Sequence, residues 1–312
     1  MATEKTGETS TDLYSQVIIR PAKRADLDEL FTLTDQVGWD VSKELLTALF
    51  DSLEQGHYIV ADLHGKIIGS RFVVVLDENT VMFDFLIVDK KYRGNRIAKK
   101  IADATLKIAG ERNVVLWSVP DRIELNKKVG MKIGGGNLYF CDGFFDPETL
   151  YVDKQHDAAE VKVVSASEVD FEALLAYDTS IITFQRRKFL KVWLAKPSAI
   201  AFVALTDGGE IVGYGQVQEA PHAYFISPLY ADTPSAFMML LKAIIESIPK
   251  NSKIFMIMNV DYVAWAEVLK RNKDKINVYP ENPIQMMYTK ENLVMPKFSS
   301  VFAISCTGAY PA

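Results

Sequence analysis

The chain has 312 residues, 49% of them hydrophobic, which is enough for two folded domains with separate cores. Its formal net charge of −5 argues against nucleic acid or an anionic membrane as a partner, and no apolar stretch approaches the ~20 residues that a membrane span needs. The polar residues 1–14 predict a disordered tail without a signal segment, and hence a cytoplasmic protein. Cys141 and Cys306 are too few for a disulfide framework, and the four histidines show no metal-binding spacing.

The first half of the chain, residues 15–150, alternates strand and helix patterns. A short strand ends at Pro21, an amphipathic helix covers residues 25–37, and a second helix begins after Ser42, which suits an N-cap. The elements that follow are predicted as strands at 57–63, 66–76 and 81–88, a helix ending at Gly110, a strand at 114–117 and a helix at 121–129.

The segment from Tyr92 to Ala98 connects the strand at 81–88 to the helix that ends at Gly110. A strand that turns sharply into a helix through a glycine, here Gly94, presents free backbone N–H groups at the positive end of the helix dipole. Basic side chains add charge to this turn; they are Arg93, Arg96, Lys99 and Lys100. The pattern predicts a phosphate or pyrophosphate site, with a basic surface turn that caps an ordinary helix as the alternative.

The same segment resembles the pyrophosphate-binding signature of the GNAT superfamily of N-acetyltransferases, which reads Gln/Arg-x-x-Gly-x-Gly/Ala. Arg93 fills the first position of the signature, Ile97 the fifth and Ala98 the sixth. Arg96 stands where the family has glycine. The order of strands and helices in the first half also follows the family. The resemblance implies an α/β fold with a mixed, mostly antiparallel sheet flanked by helices, and acetyl-CoA as the co-substrate.

The resemblance also assigns roles to single residues. Backbone groups of Leu86, Ile87 and Val88 would bind the pantetheine arm, and one of their N–H groups would polarise the thioester carbonyl. The pyrophosphate would lie on the loop residues Arg93, Gly94, Asn95, Arg96, Ile97 and Ala98. Many family members place a tyrosine, the acid for the departing thiolate, four residues before the glycine that ends the short helix. Asn126 occupies that position here, and Tyr92 and Tyr139 are the alternatives for the acid.

An amine must lose a proton before it attacks a thioester, so the site needs a base. Asp84 is the candidate, since strand alternation places it with Met82, Leu86 and Val88 on one apolar face. The alternatives are that Asp84 pairs with a nearby Lys or Arg, or lies at the wet edge of the strand. Trp39, between the first two helices, either packs between them or stacks on a flat or aromatic amine.

The second half of the chain repeats the first at an offset of 144 positions. At that offset the string from Gly65 to Gly69 meets the string from Gly209 to Gly213, each a turn followed by a strand. We therefore predict tandem GNAT domains at 15–150 and 161–312, joined by a polar linker at 151–160.

The second copy lacks a phosphate loop. Between its strand and helix the chain runs from Ile226 to Pro234 without a glycine or a basic residue, and Asp232 would repel a phosphate. We therefore assign acetyl-CoA to the first half and interpret the second as a degenerate GNAT-like domain. Residues 301–305 are expected to form a last strand of the second sheet.

Two other segments receive structural interpretations. The glycine run at 134–136 lacks the Lys-Ser/Thr of a P-loop and is expected to form a flexible turn. The run from Gln185 to Lys188 either lines the ligand cleft or forms a solvated helix face, and we favour the solvated face because most charge runs are of that kind.

These patterns favour an N-acetyltransferase that transfers acetyl from acetyl-CoA to a small-molecule amine by direct attack, acting as a monomer. The alternative is a non-catalytic protein that keeps the fold to bind coenzyme A or another small ligand. Arg96 and Asn126 favour the alternative, whereas Asp84 and the strand–loop–helix segment favour the enzyme.

Overall fold

The structure, a computed structural model, describes residues 13–149, 161–259, 263–272, 274–293 and 297–305. Its helices are α1 (Leu13–Gln16), α2 (Leu27–Gln36), α3 (Lys43–Ser52), α4 (Ile97–Ala109), α5 (Pro120–Lys128), α6 (Phe171–Ile182), α7 (Arg187–Leu194), α8 (Pro234–Glu246) and α9 (Val263–Arg271). Its strands are β1 (Ile18–Pro21), β2 (Tyr58–Leu63), β3 (Lys66–Val75), β4 (Thr80–Val88), β5 (Asn113–Ser118), β6 (Lys132–Gly143), β7 (Val161–Ser165), β8 (Ala199–Thr206), β9 (Ile211–Glu219), β10 (Tyr224–Ala231), β11 (Ile254–Met258), β12 (Ile276–Val278), β13 (Ile284–Tyr288) and β14 (Val301–Ala303). Within these residues no helix is long and apolar enough to cross a membrane.

The predicted elements of the first half are confirmed in their predicted order. Ser42 is the N-cap of α3, because its hydroxyl accepts a hydrogen bond from the N–H three residues on, at 3.1 Å. The boundary of the tail differs from the prediction: Leu13 and Tyr14, expected in the tail, belong to α1. The Lys100 ammonium ties this short helix to α4 by donating hydrogen bonds to the carbonyls of Tyr14 and Val17. The rest of the predicted tail, residues 1–12, lies outside the described residues.

The strands form one continuous sheet. In the described part of the chain the order is β1-β2-β3-β4-β5-β13-β6-β11-β14-β10-β9-β8-β7, and β12 pairs with β6. Two pairs are parallel, β4 with β5 and β10 with β11, and the other pairs are antiparallel. These parallel pairs are equivalent in the two halves, so each half has the mixed, mostly antiparallel sheet that was expected.

The two halves exchange strands where they meet. β13 of the second half lies between β5 and the beginning of β6, with Ile284 opposite Leu138. The end of β6 lies in turn between β11 and β12 of the second half, with Cys141 opposite Met256. Each half therefore completes the sheet of the other. The linker at 151–160 lies outside the described residues, and the division there stays a prediction.

The glycine run at 134–136 lies inside β6, so the expectation of a flexible turn was wrong. The reason is close packing against the chain that follows β13. A Cβ atom on Gly134 would collide with the Asn292 side chain, and one on Gly136 would lie 3.0 Å from the Phe298 ring. Glycine therefore lets this part of β6 lie close to the residues that follow β13.

Helices cover both faces of the sheet. α2, α3, α6 and α7 share one face, where a single buried cluster extends through both halves and α3 packs on α7. α4 and α8 lie on the opposite face, each directly over a glycine. A Cβ on Gly69 would lie 2.9 Å from Ile101 of α4, and a Cβ on Gly213 would lie 2.9 Å from Leu240 of α8. The repeat thus preserves the close helix–strand contact that positions each helix N-terminus.

Candidate functional site

Strand β4 carries a bulge at Phe85. Between Asp84 and Ile87, β4 has two residues where β3 has one, so β4 contains an extra residue. Phe85 has a left-handed backbone with φ +55°. The extra residue moves later side chains to the other face of the sheet. The prediction that Asp84 shares one face with Met82, Leu86 and Val88 is therefore wrong beyond the bulge, because Met82 packs under α2 and α3 whereas Val88 packs under α4.

Strands β4 and β5 separate before this bulge. They pair only over the first three residues of β4, which end at Met82. The N–H of Asp89 donates a hydrogen bond to β3, and successive residues of a strand direct their backbone groups to opposite sides. The backbone groups of Ile87 therefore face β3, whereas those of Leu86 and Val88 point toward β5. We call this gap between residues 86–88 of β4 and the end of β5 the slot.

The turn from β4 into α4 has the geometry of an anion-binding loop. Gly94 has φ +83°, and Arg96, the N-cap residue of α4, has φ +58° and ψ +17°, a left-handed conformation that favours glycine. The N-cap side chain makes no capping hydrogen bond, and none of the described residues accepts one from the N–H of Ile97, Ala98 or Lys99. These N–H groups lie at the positive end of a 13-residue helix.

The Arg96 side chain stacks on α1 and leaves these N–H groups uncovered. Its guanidinium lies 4.9 Å from the centre of the Tyr14 ring, and the Lys100 ammonium lies 4.6 Å from the same ring. Inside the turn, Arg93 Nε donates to the last carbonyl of β4 at 3.0 Å, and the Asn95 amide donates to the carbonyl of Arg93 at 3.2 Å. The loop is therefore shaped by its own side chains, with an arginine in the glycine position.

Asp84 lies beside the slot with titratable neighbours. Its carboxylate accepts a hydrogen bond from the N–H of Phe85 at 2.6 Å. Burial lowers the pKa of the Arg71 guanidinium to about 10, and the charge of Asp84 opposes this shift. Burial raises the pKa of the Tyr58 phenol, and Asp84 adds to that rise. Asp84 is thus within electrostatic range of a buried cation, Arg71. Its surroundings are compatible both with a base and with an ion pair.

Asn126, on α5, donates a hydrogen bond from its amide to the Ser118 hydroxyl at 3.0 Å. Ser118 is the last residue of β5 and is buried, so this pair lies at the end of β5 that borders the slot. Of the two alternatives for the acid, Tyr139 lies on β6, which β13 separates from β5. Tyr92 lies in the turn after β4, where the Lys66 ammonium is 5.4 Å from its ring.

Trp39 packs against the bulge of β4. Its ring meets the Phe85 ring edge-on, with 5.0 Å between centroids. The next residue, Asp40, accepts a hydrogen bond from the N–H of His222 in the second half at 2.8 Å, and burial raises its pKa. Trp39 therefore packs on the sheet at the bulge, its stacking on an amine stays a prediction, and the second half helps to fix the segment that carries it.

The equivalent turn of the second half, from β10 into α8, is closed. The Thr233 hydroxyl accepts a hydrogen bond from the N–H of Ala236 at 3.1 Å, and Pro234 has no N–H to offer. Asp232 lies just before the helix and accepts a hydrogen bond from the Ser300 hydroxyl at 3.1 Å. A phosphate would meet a carboxylate and a capped helix here, as the sequence indicated.

The run from Gln185 to Lys188 is not a solvated face throughout, because Arg186 is 1% exposed. Its guanidinium donates to both oxygens of the Asp178 carboxylate, at 2.8 and 2.6 Å. Burial disfavours the charge of Arg186, but the carboxylate holds its pKa above the usual value. A signal was present in the sequence: Asp178 interrupts the apolar residues of α6, and a buried carboxylate requires a partner.

Cysteine and metal chemistry find no support in the described residues. Cys141 is a buried thiol on β6, and burial raises its pKa to about 12. No group of His, Cys, Asp and Glu side chains in this part of the chain could hold a metal ion. Cys306 lies outside the described residues.

Comparison with known proteins identifies the family. Residues 24–128 match the family model described as acetyltransferase (GNAT) family, and residues 174–303 match the model described as acetyltransferase (GNAT) domain. The chain therefore belongs to the GNAT family and carries two GNAT domains in tandem.

The chain is also similar to individual proteins, and the solved structures among them share its fold. An uncharacterized protein of Caenorhabditis elegans is 23% identical over 259 residues, which cover 75% of this chain and 79% of that protein. A structure from Pyrococcus horikoshii, provisionally described as an acetyltransferase, has a TM-score of 0.73 at 15% identity and covers 98% of this chain and 100% of its own. A tandem GNAT protein from the clavulanic acid biosynthesis pathway has a TM-score of 0.63 at 12% identity and covers 87% of this chain and 98% of its own.

Proposed function

We propose that the first half transfers an acetyl group from acetyl-CoA to the amine of a small molecule. The observation that carries this proposal is that residues 86–88, where β4 no longer pairs with β5, lead directly into the loop and the uncapped start of α4, whose first N–H groups have no acceptor among the described residues. Membership of the GNAT family supports it, because family members generally transfer acyl groups from acyl-CoA to amines. The second half supports the site through β13 and through its contact with Asp40.

The residues of the slot and loop suit acetyl-CoA, which supplies an activated thioester when it is bound. The backbone groups of Leu86 and the N–H of Val88 point toward the slot, where an extended chain such as pantetheine would lie. The Val88 carbonyl accepts from Arg93 Nε, and Ile87 pairs with β3 between these two residues. The residues proposed to hold the pyrophosphate are Arg93, Gly94, Asn95, Arg96, Ile97 and Ala98. Because Arg96 stacks on Tyr14, its side chain leaves the helix N–H groups accessible to an anion.

Asp84 is the proposed base. It is partly buried beside the slot, where its carboxylate would take the proton from an incoming ammonium group before the amine attacks. Asn126 cannot donate a proton as a phenol does, but its amide holds the Ser118 hydroxyl at the slot's edge. A thiolate is a good leaving group that water can protonate. Cys141 is buried on β6, which supports direct attack without a covalent enzyme intermediate.

The second candidate is a non-catalytic protein that binds coenzyme A or another small ligand. The specific observation in its favour is Asn126, an amide at the position where the family resemblance expects an acid. This candidate needs the same loop and slot, so binding alone does not separate it from the enzyme. Release of free thiol in the presence of an amine does.

The test is a calorimetric titration of acetyl-CoA into the full chain and into an Arg93→Ala/Gly94→Pro variant. The matched control is Arg112→Ala, which removes the same charge beyond the far end of α4. We expect binding by the wild type and the control and none by the loop variant. Thiol release with a panel of small amines then supports the enzyme, and binding without release supports the second candidate. Absence of binding by the wild type contradicts both.

We further propose that the protein is a cytoplasmic monomer. The exchange of β6 and β13 completes both sheets within one chain, so a second copy is not needed to supply either strand. Light scattering after size exclusion should give the mass of one chain, and the mass of two chains would contradict this part of the proposal.

A further inference from the structure

The second half has the same separation of parallel strands as the first, but the gap is filled. β10 and β11 begin as a pair, with Tyr224 opposite Ile254, and then separate. β14 lies between them beyond that point, with Ala303 opposite Leu229 on β10 and opposite Met258 on β11. The chain's own segment thus takes the place that is open between β4 and β5.

The segment from Val301 to Ser305 is held by backbone and side-chain contacts. The carbonyl of Phe302 accepts hydrogen bonds from the N–H of Asn259 at 3.1 Å and from the Trp265 indole at 3.3 Å. The Phe302 ring stacks on the Phe237 ring of α8 at 4.0 Å between centroids, with 9° between planes. All five residues of the segment are completely buried.

A buried polar cluster fastens the end of this segment. The Arg186 guanidinium, already paired with Asp178, also donates to the Ser305 hydroxyl at 2.8 Å. The same guanidinium lies 3.3 Å from the hydroxyls of Tyr214 and Tyr230, which come from β9 and β10. The cluster therefore connects α6, the N-cap of α7, β9, β10 and the segment after β14.

The cluster occupies positions that carry smaller, uncharged side chains in the first half. At the 144-residue offset, Asp178, Arg186 and Tyr214 correspond to Thr34, Ser42 and Ser70. Tyr230 lies opposite Tyr214 as Ile87 lies opposite Ser70, so Ile87 is its counterpart beyond the bulge of β4. The second half thus has large side chains that pack and pair with one another where the first half has smaller ones.

From this arrangement we propose that residues 301–305 are the resident occupant of the second half's slot, so that the chain binds acyl-CoA at one site, in the first half. The identity of the ligand in this inference rests on the proposed function. The filling of the gap between β10 and β11 does not, because it follows from the contacts described above. Admission of a ligand between β10 and β11 requires removal of a buried strand and separation of Ser305 from Arg186.

A disulfide lock tests the inference. Leu229→Cys and Ala303→Cys place two thiols on directly opposed residues, in a Cys306→Ser background, while Cys141 is buried and has its pKa raised to about 12. Acetyl-CoA is titrated before and after oxidation. We expect rapid disulfide formation, one binding site in both states and an affinity that changes less than twofold. Two sites before oxidation and one afterwards would show that β14 is displaceable and would overturn the inference, as would failure of the disulfide to form.

Hydrogen exchange on the wild-type chain provides a test that needs no substitution. The backbone N–H groups of Asn259 and Ile304 donate hydrogen bonds within the filled gap, so they should exchange only in the slowest class, with or without acetyl-CoA. Fast exchange at these positions, or faster exchange when acetyl-CoA is added, overturns the inference. If acetyl-CoA does not bind at all, the proposed function fails, while slow exchange and the disulfide still support the occupied slot.

Discussion

The two strand-to-helix turns of this protein, β4 into α4 and β10 into α8, have similar scaffolds and opposite chemistry. Both lead into 13-residue helices, and these helices pack over equivalent glycines, Gly69 of β3 and Gly213 of β9. The first turn ends in an uncapped helix with basic residues around it. The second ends in a helix capped by Thr233, with Asp232 before it. The fold is thus retained where packing requires it, and the ligand chemistry depends on a few residues in the turn.

The two halves also differ in the gap between their parallel strands, next to each turn. The first half keeps a gap between its parallel strands, whereas the second fills its gap with β14 and with the Arg186 cluster. Filling the gap adds buried contacts to the second half. The comparison is therefore consistent with the proposal that the first half binds the ligand and the second half supports it structurally.

The largest effect is expected from Asp178→Ala, which leaves Arg186 buried without its carboxylate. Breaking a buried pair in this way costs about 3–5 kcal/mol of unfolding free energy. Thr34→Ala, at the equivalent position of the first half, should cost only about 1 kcal/mol, since it removes one hydroxyl hydrogen bond. Urea denaturation of both variants checks this contrast, and equal losses would contradict the distinction between the halves.

The next effect concerns Asp84 and separates its two interpretations. If the carboxylate is the base, Asp84→Asn should lower kcat/KM by about 10²-fold or more without changing the affinity for acetyl-CoA. Steady-state kinetics and calorimetry measure the two quantities. A variant with normal turnover and a lower melting temperature would instead show that Asp84 serves mainly as the partner of Arg71.

Gly69→Ala and Gly213→Ala test the feature that the halves share. Each new methyl group would lie 2.9 Å from a side chain of the overlying helix, and 2.9 or 2.7 Å from a carbonyl oxygen of the neighbouring strand. Overpacking of this kind costs about 1–3 kcal/mol, and we expect similar losses in the two halves. Chemical denaturation measures the unfolding free energy of both variants. A loss for only one of them would show that α4 and α8 do not pack equally closely on the sheet.

The smallest effect comes from the helix caps. Thr233→Ala removes the hydroxyl that accepts from Ala236 and should cost about 1 kcal/mol. Arg96→Ala removes no capping hydrogen bond, so its effect on the unfolding free energy should be smaller. Thermal unfolding of both variants measures the difference, and a larger loss for Arg96→Ala would mean that its stacking on Tyr14 matters more to stability than a cap does.

Much of the fold was readable because hydrophobic periodicity and turn residues are local signals. The repeat offset and the N-cap at Ser42 predicted elements that the structure contains. The strand exchange was not predictable in this way, since β6 and β13 have the same pattern whichever half they join. The glycines at 134 and 136 were misread because their role depends on Asn292 and Phe298, which lie far away in the chain.

In the candidate site, too, local features were predictable from the sequence and contacts between distant residues were not. The loop from Arg93 to Ala98 follows from local sequence, and the structure gives it the left-handed residue and free N–H groups of an anion site. The bulge at Phe85 was missed, because the strand pattern alone assumes strict alternation. The stacking of Arg96 on Tyr14 was also missed, since it joins residues more than 80 positions apart.

The central claim is that acyl-CoA binds at the first turn and not at the second. Hydrogen exchange with mass spectrometry, with and without saturating acetyl-CoA, compares both turns in one experiment. The account predicts slower exchange for peptides covering residues 86–99 and no change for those covering 226–236. Slower exchange at 226–236, or at neither turn, would contradict it.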